Sequence, residues 1–251
     1  MNLARRNSIK KLIEEKGRVS FDELVKRYPT VSTMTIRRDL LALEEAGSLI
    51  RVRGGAVSVK ELNRNVEDVY TQRTGYNIDA KKEIAKKAAE YADRGHSIFI
   101  DSGSTMLYFT KELLDINYYV TTNGLNVAQE LSSKTMPVVT FIGGVINKRN
   151  MSASGNLSQA FLDNINIDIA FLAASGFSVD SGFMCGSLTE TYLKSAIVKK
   201  AQKRIMLMDS SKVDKSMPFT FAGIDDIDVL ITDSGFPAEL KEQLKDRIEI
   251  I

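Results

Sequence analysis

Val31-Ser32-Thr33-Met34-Thr35-Ile36-Arg37-Arg38-Asp39-Leu40-Leu41-Ala42-Leu43 is the stretch on which the reading of this chain turns. Ile36, Leu40 and Leu43 recur at helical spacing and form one dry stripe. Ser32 stands where a hydroxyl caps a first turn, and Val31 faces Ile36 as a hydrophobic staple. Going around the helix, Met34, Thr35 and Arg38 fall on the side away from the stripe, with Arg37 at its flank. Gly47 ends the helix. A helix with a dry face, a cationic outer face and small polar residues at its start suits a DNA major groove. The first-turn N–H groups, at Ser32 and Thr33, suit a phosphate.

The flanking sequence completes a module. Upstream, Ile9, Leu12 and Ile13 mark a helix within Ala4–Lys16 that Gly17 stops. Ser20 and Glu23 then have the spacing of a capping box for a short helix ended by Tyr28-Pro29, with Val19 and Leu24 as its staple. Downstream, Leu49-Ile50-Arg51-Val52-Arg53-Gly54-Gly55-Ala56-Val57 alternates, with Ile50 and Val52 on one face and Arg51 and Arg53 on the other. The Gly-Gly pair permits a tight hairpin. Three short helices and a basic hairpin make a winged helix-turn-helix over residues 1–60. Its candidate DNA contacts are Ser32, Thr33, Met34, Thr35, Arg37 and Arg38 on the helix, and Arg51, Arg53 and Gly54 on the wing. Asp39 reads as a partner for a neighbouring arginine, and Arg5, Arg6, Lys10 and Lys11 as either a solvated face or phosphate contacts.

Charge divides along the same boundary. Residues 1–60 hold thirteen Lys and Arg against seven Asp and Glu, a balance of +6, and 61–251 hold 21 against 25, a balance of −4. A positive module on a mildly negative body fits a chain that meets a polyanion at one end. The length of 251 residues accommodates two domains. Apolar runs such as Pro137–Ile142 fall far short of the roughly 20 residues of a membrane helix, and the N-terminus has no apolar stretch of the secretory kind. Cys185 is the one cysteine, so no intrachain disulfide can form. A cytoplasmic protein without membrane contact is expected.

Residues 61–78 lack strong periodicity and read as a linker. From Asp79 to 251, helices alternate with apolar strands: a helix over Lys81–Arg94, a strand at Ser97–Asp101, a helix through Leu107–Leu114, then strands at Tyr118–Thr121, Val138–Ile142, Ile169–Ala173, Ile205–Met208 and Val229–Ile231. That order predicts an α/β domain with a mostly parallel sheet covered on both faces. Ligands of such sheets bind beyond the C-terminal strand ends. Here those ends are rich in glycine and hydroxyls: Asp101-Ser102-Gly103-Ser104-Thr105, Thr121-Thr122-Asn123-Gly124, Gly143-Gly144, Ala174-Ser175-Gly176 and Asp209-Ser210-Ser211-Lys212. A further turn reads Ser152-Ala153-Ser154-Gly155. Such turns let backbone N–H groups approach an anion, with Lys212 adding charge. No Walker A loop and no G-x-G-x-x-G fingerprint is present, which argues against nucleotide hydrolysis and nicotinamide chemistry.

The string Ser32–Leu40 followed by Arg51-Val52-Arg53-Gly54-Gly55-Ala56 resembles the N-terminal signature of DeoR-type bacterial transcriptional regulators. The strand-end motifs at Asp101–Thr105, Thr121–Asn123, Gly143-Gly144 and Asp209–Lys212 resemble their effector domain, so the likeness covers nearly the whole chain. Two departures stand out: the turn Arg27–Ser32 is one residue longer than the family's usual turn, and His96, read here as a turn residue, replaces a more usual Asp. The resemblance implies a second domain similar in fold to ribose-5-phosphate isomerase and a phosphorylated sugar as effector. It implies a sequence-specific repressor of a sugar-metabolism operon, acting on double-stranded operator DNA as a homo-oligomer, dimer or tetramer, formed through residues 79–251. The candidate effector contacts are Asp101, Ser102, Gly103, Ser104, Thr105, Thr122, Asn123, Gly143, Gly144, Ser154, Gly155 and Lys212.

Two other classes compete. A sugar-phosphate isomerase with a DNA-binding appendage would need a base beside the substrate carbon, with Asp101, Glu190, Lys194, Asp209 and Lys212 as candidates. One His and one Cys give no metal-ligand cluster. Glu190 and Lys194, four apart on Leu188–Lys200, read as a surface ion pair. A structural nucleic-acid-binding protein without effector would not need the repeated Ser/Gly strand ends. The expectation is therefore a regulator with no catalytic residue, no cofactor and no metal.

Overall fold

A computed structural model describes residues 2–58 and 68–251. The chain divides into two units, Met1–Asn65 and Val66–Ile251. The first contains α1 (Asn2–Lys16), β1 (Arg18–Ser20), α2 (Phe21–Arg27), α3 (Thr33–Glu45), β2 (Leu49–Val52) and β3 (Gly55–Ser58). Ile9, Ile13, Leu24, Ile36, Leu40 and Leu49 close its core. The expected caps are present: Ser20 Oγ accepts from the Glu23 amide at 3.1 Å, and Ser32 Oγ from the Thr35 amide at 3.2 Å. The reciprocal half of the first capping box is replaced, because the Glu23 carboxylate pairs with Lys16. The hairpin turns at Arg53-Gly54, and Gly55 already lies in β3. There β3 also pairs with β1, and a Cβ on Gly55 would stand 2.2 Å from the Val19 carbonyl oxygen. That strand, β1, was too short to show in the sequence pattern.

In the second unit α4 (Tyr70–Gly75) and α5 (Ile78–Ala89) lead into a parallel sheet. Its strands are β4 (Ser97–Ile100), β5 (Tyr119–Thr122), β6 (Val138–Phe141), β9 (Ile169–Ala173), β12 (Lys203–Leu207), β14 (Val229–Ile231) and β15 (Glu249–Ile250), in the order β15-β14-β12-β9-β4-β5-β6. Every pairing is parallel. Strict alternation sends Ile98, Ile100, Phe171 and Ile205 to one face, against α5, α6 (Ser104–Glu112) and α7 (Leu125–Leu131). Phe99, Leu172, Met206 and Leu230 go to the other, against residues of α8 (Asn156–Leu162), α9 (Leu188–Lys200) and α10 (Ala238–Leu244). A sheet covered on both faces needs apolar side chains on both, which is why its strands read as continuous apolar runs.

Several expectations are corrected. The stretch read as a linker, 61–78, contains α4 and the start of α5; its residues 61–67 lie outside the described ones. The Lys81–Arg94 helix begins earlier, at Ile78 after Asn77 in the left-handed region (φ 52°), and stops at Ala89. The helix expected from Leu107 starts at Ser104. Ser152–Ser154 is a strand, β8, in a hairpin with β7 (Val145–Asn147), not a turn. A small antiparallel sheet, β10 (Gly176–Ser178), β11 (Gly182–Cys185) and β13 (Phe219–Ala222), was not foreseen, since its strands are three or four residues long. Among the described residues no helix is long and apolar enough to cross a membrane.

Candidate functional site

In the first unit Arg5, Arg6, Arg37 and Arg51 are engaged within the protein. Arg5 and Arg6 donate to the two oxygens of Asp39 at 2.6 and 2.9 Å, so Asp39 is the structural partner expected. Burial pushes the Asp39 carboxyl up, but the two guanidinium groups outweigh it and hold it below the ordinary value. Arg37 lies over the Phe21 ring, 4.6 Å from its centroid. Arg51, expected to point outward, donates to Glu44 at 2.6 Å, and the pull comes from the carboxylate on α3 beside it. Arg38 and Arg53 remain exposed, with no ion pair among the described residues. Met34 is 59% exposed in the first turn of α3, beside the exposed Ser32 and Thr33 and half-buried Thr35. Gly54 sits in the wing turn. Exposed groups of this unit thus include Thr33 and Met34 at the start of α3, Arg38, and Arg53 and Gly54 at the wing tip.

The second unit has a cleft at the carboxyl ends of β4 and β9, where the strand order reverses direction. It encloses about 430 Å³ of empty space, open mouth included. One wall is Ser102, Gly103, Ser104 and Thr105, the turn into α6. Gly103, with φ 120°, is the N-cap and has no side chain to bond the first α6 N–H groups. Arg73 of α4 and Lys212 add two cations to the lining. Lys212 stands 3.8 Å from Asp209, whose other oxygen accepts from Asn77 at 2.9 Å and from Ser211. Lys81 is buried and donates to the carbonyls of Arg73 and Tyr76, fixing the end of the helix that carries Arg73. Burial lowers its pKa to about 8.

The opposite wall is Asn150, Glu190 and Lys194. Glu190 and Lys194 do not form the surface pair expected of them: they are 2% and 5% exposed. Lys194 reaches across to Asp101 and to the Ala173 carbonyl at 2.7 Å. Burial alone would lower the Lys194 pKa; the charge of Asp101 leads the effects that raise it instead. Asp101 is fully spent, holding the Ser102 amide at 2.8 Å and the Ala173 amide at 3.1 Å besides Lys194. It positions the two strand ends and does not line the cleft. Glu190 accepts through Oε1 from Asn147 at 3.0 Å and from Asn150.

Of the other predicted strand ends, Ala174 and Ser175 line this cleft; the remaining candidate effector contacts do not. Thr122 Oγ1 accepts from the Gly124 amide at 3.0 Å, and Asn123 braces the β8 hairpin at Ala153. The Gly143 carbonyl accepts from Ser158 at 2.6 Å, Gly144 packs against Ser154 and Ser158, Ser154 bonds Thr189 at 3.0 Å, and Gly155 precedes α8. The sequence reading missed Arg73 and Asn150, and it took Glu190 and Lys194 for a surface pair or the bases of a rival enzyme, not for parts of this wall. For the last two a signal existed: Glu190, Leu193, Lys194, Ile197, Val198 and Ala201 share one helical face, so both charges lie in the apolar stripe.

An N-terminal winged helix-turn-helix and a parallel α/β unit with a polar, cation-rich cleft together define a DNA-binding regulator with a sensor domain. Comparison with known families agrees: residues 5–62 match the DeoR-like helix-turn-helix domain, and residues 76–234 the DeoR C terminal sensor domain. The HTH-type transcriptional regulator GolR of Listeria innocua is 32% identical over 243 residues, 96% of this chain and 94% of the relative. The glycerol-3-phosphate regulon repressor of Escherichia coli K12 is 30% identical over 243 residues, 96% and 95% of the two chains. Among solved structures, ribose 5-phosphate isomerase A from Methanocaldococcus jannaschii overlaps 55% of this chain and 56% of its own, with a TM-score of 0.39 and 21% identity. This chain belongs to the DeoR family and is a DNA-binding transcriptional regulator.

Proposed function

We propose that the chain is a repressor of a sugar-metabolism operon whose α/β unit binds a phosphorylated sugar and thereby changes its hold on operator DNA. The observation that carries this reading is the two-ended cleft. The uncapped start of α6, Arg73 and Lys212 offer an anion-binding end, and Asn150 and Glu190 offer hydroxyl-binding groups opposite. A phosphate with a polyhydroxy tail has that polarity. Repression follows the full-length relatives, one of which is named for the glycerol-3-phosphate regulon. Ser32, Thr33, Met34, Thr35 and Arg38 meet the operator from α3, and Arg53 and Gly54 from the wing. Arg37 and Arg51 join once DNA competes for them. Assembly into a homo-oligomer is supported by the outer edge of β6, which pairs with no strand among the described residues, and by exposed Val138, Val145 and Ile146 on β6 and β7.

The sensing half is tested by thermal shift of the full chain against phosphorylated sugars and their unphosphorylated parents. Phosphorylated compounds raise Tm and their parents do not, and Arg73→Ala and Lys212→Ala each weaken the effect by about tenfold. Equal shifts from both sets would remove the anion from the reading.

A further inference from the structure

Glu190 is held in an unusual way for a buried charge. Its side chain lies in the interior, 2% exposed, yet among the described residues no cation bonds it; the neutral amides of Asn147 and Asn150 both donate to Oε1. The Ser152 hydroxyl is 2.9 Å from the same oxygen and 2.8 Å from Asn150 Oδ1, so its one proton braces the cluster at either point. Lys194, one helical turn on, is committed to Asp101 and the Ala173 carbonyl. Two amide donors fill the lone pairs of Oε1. Oε2 has no hydrogen-bond partner among the described residues, in a residue that lines the cleft.

A carboxylate fixed so firmly on one side and left open on the other costs stability unless something completes it. We infer that Glu190 Oε2 is the selectivity element of the cleft: it accepts from the hydroxyl end of the ligand and excludes ligands that carry a second negative charge there. The inference rests on the phosphorylated-sugar reading of this same cleft and narrows it to polyol, aldose and ketose phosphates, against phosphorylated sugar acids. The attractive half is one charge-assisted hydrogen bond. The repulsive half is a like charge brought against a buried, immobile carboxylate, the larger effect in a water-poor site. Asn147 and Asn150 make the repulsion hard to relieve, since turning Glu190 away would leave two buried amides without acceptors.

The test uses the full-length protein and matched probes that differ only in the terminus far from phosphate: glucitol 6-phosphate against 6-phosphogluconate, ribitol 5-phosphate against 5-phosphoribonate, and glycerol 3-phosphate against 3-phosphoglycerate, with inorganic phosphate alongside. Calorimetric titration of the unaltered protein is expected to favour the uncharged member of the best-binding pair by about tenfold or more. Glu190→Gln keeps the acceptor for both asparagines and removes the charge; it is expected to shrink or invert that ratio, with inorganic phosphate still binding. Equal binding of both members by the unaltered protein, or a ratio unmoved in Glu190→Gln while inorganic phosphate still binds, overturns this inference and spares the phosphate reading. If neither inorganic phosphate nor any probe binds, the sensing proposal falls and this inference falls with it. The unaltered protein's own ratio decides the matter even if the variant folds poorly.

Discussion

Asp39 in the DNA-binding unit and Glu190 in the sensor unit are both carboxylates almost sealed from water, at 1% and 2% exposure. Their surroundings differ in kind. Asp39 is matched oxygen for oxygen by Arg5 and Arg6, so its charge is consumed in tying α1 to α3. Glu190 is held by neutral amides on one oxygen and presents the other to a cleft. Asp101, equally buried, sides with Asp39: Lys194 and two backbone amides use it up. Burial of a charge therefore does not mark a functional group by itself. What marks it is whether the protein supplies the counter-charge, because a pair completed internally has nothing left to offer a ligand.

The contrast can be broken at its structural end first. Lys194→Met strands Asp101 in the interior and is expected to cost about 3–5 kcal/mol, read as a fall in the denaturation midpoint of the sensor unit. Asp39→Asn is expected to cost about 1.5–3 kcal/mol in the DNA-binding unit, the range for hydrogen bonds to charged groups. That effect carries a pH signature. The folded Asp39 pKa lies below the unfolded value of 3.8, so its stabilisation is complete above that pH and disappears as pH falls through the folded value. In Asp39→Asn this acid-side loss is absent, and denaturation measured from pH 6 downwards checks it.

Two smaller substitutions sharpen the contrast from the DNA side. Arg38→Ala removes a cation with no ion-pair partner among the described residues, so folding should be unchanged while operator affinity falls by about 1–3 kcal/mol and sugar-phosphate affinity stays as it was. Unchanged operator affinity in a gel-shift titration would take Arg38 out of the interface. Ser32→Ala deletes the cap on α3 and should cost about 1 kcal/mol of stability in thermal unfolding.

Legibility in the sequence followed the strength of the local signal. Helix α3, its Ser32 cap and the Asp39 pairing could be read because period, cap and staple agree over a dozen residues. Strands Ile169–Ala173 and Val229–Ile231 fell at their expected limits, since central parallel strands are unbroken apolar runs. Strands β1, β10 and β11 escaped because three or four residues carry no detectable period. At the cleft, Ser102–Thr105 and Lys212 were legible from glycine and hydroxyl chemistry, whereas Arg73 sat in a stretch without pattern. Glu190 and Lys194 were misread because spacing of four suggests a surface pair; their place in the stripe of Leu193 and Ile197 outweighs that rule.

One chain is proposed to bind an operator through α3 and the wing and to answer to a phosphorylated sugar in the cleft. The most direct test is a binding titration of the full-length protein against DNA from its own upstream region, with and without a panel of phosphorylated sugars. The account predicts tight, salt-dependent binding that one or a few uncharged-terminus sugar phosphates shift by tenfold or more, about 1.4 kcal/mol. Tight binding indifferent to every phosphorylated sugar would contradict it and leave a DNA-binding regulator whose cleft serves another end.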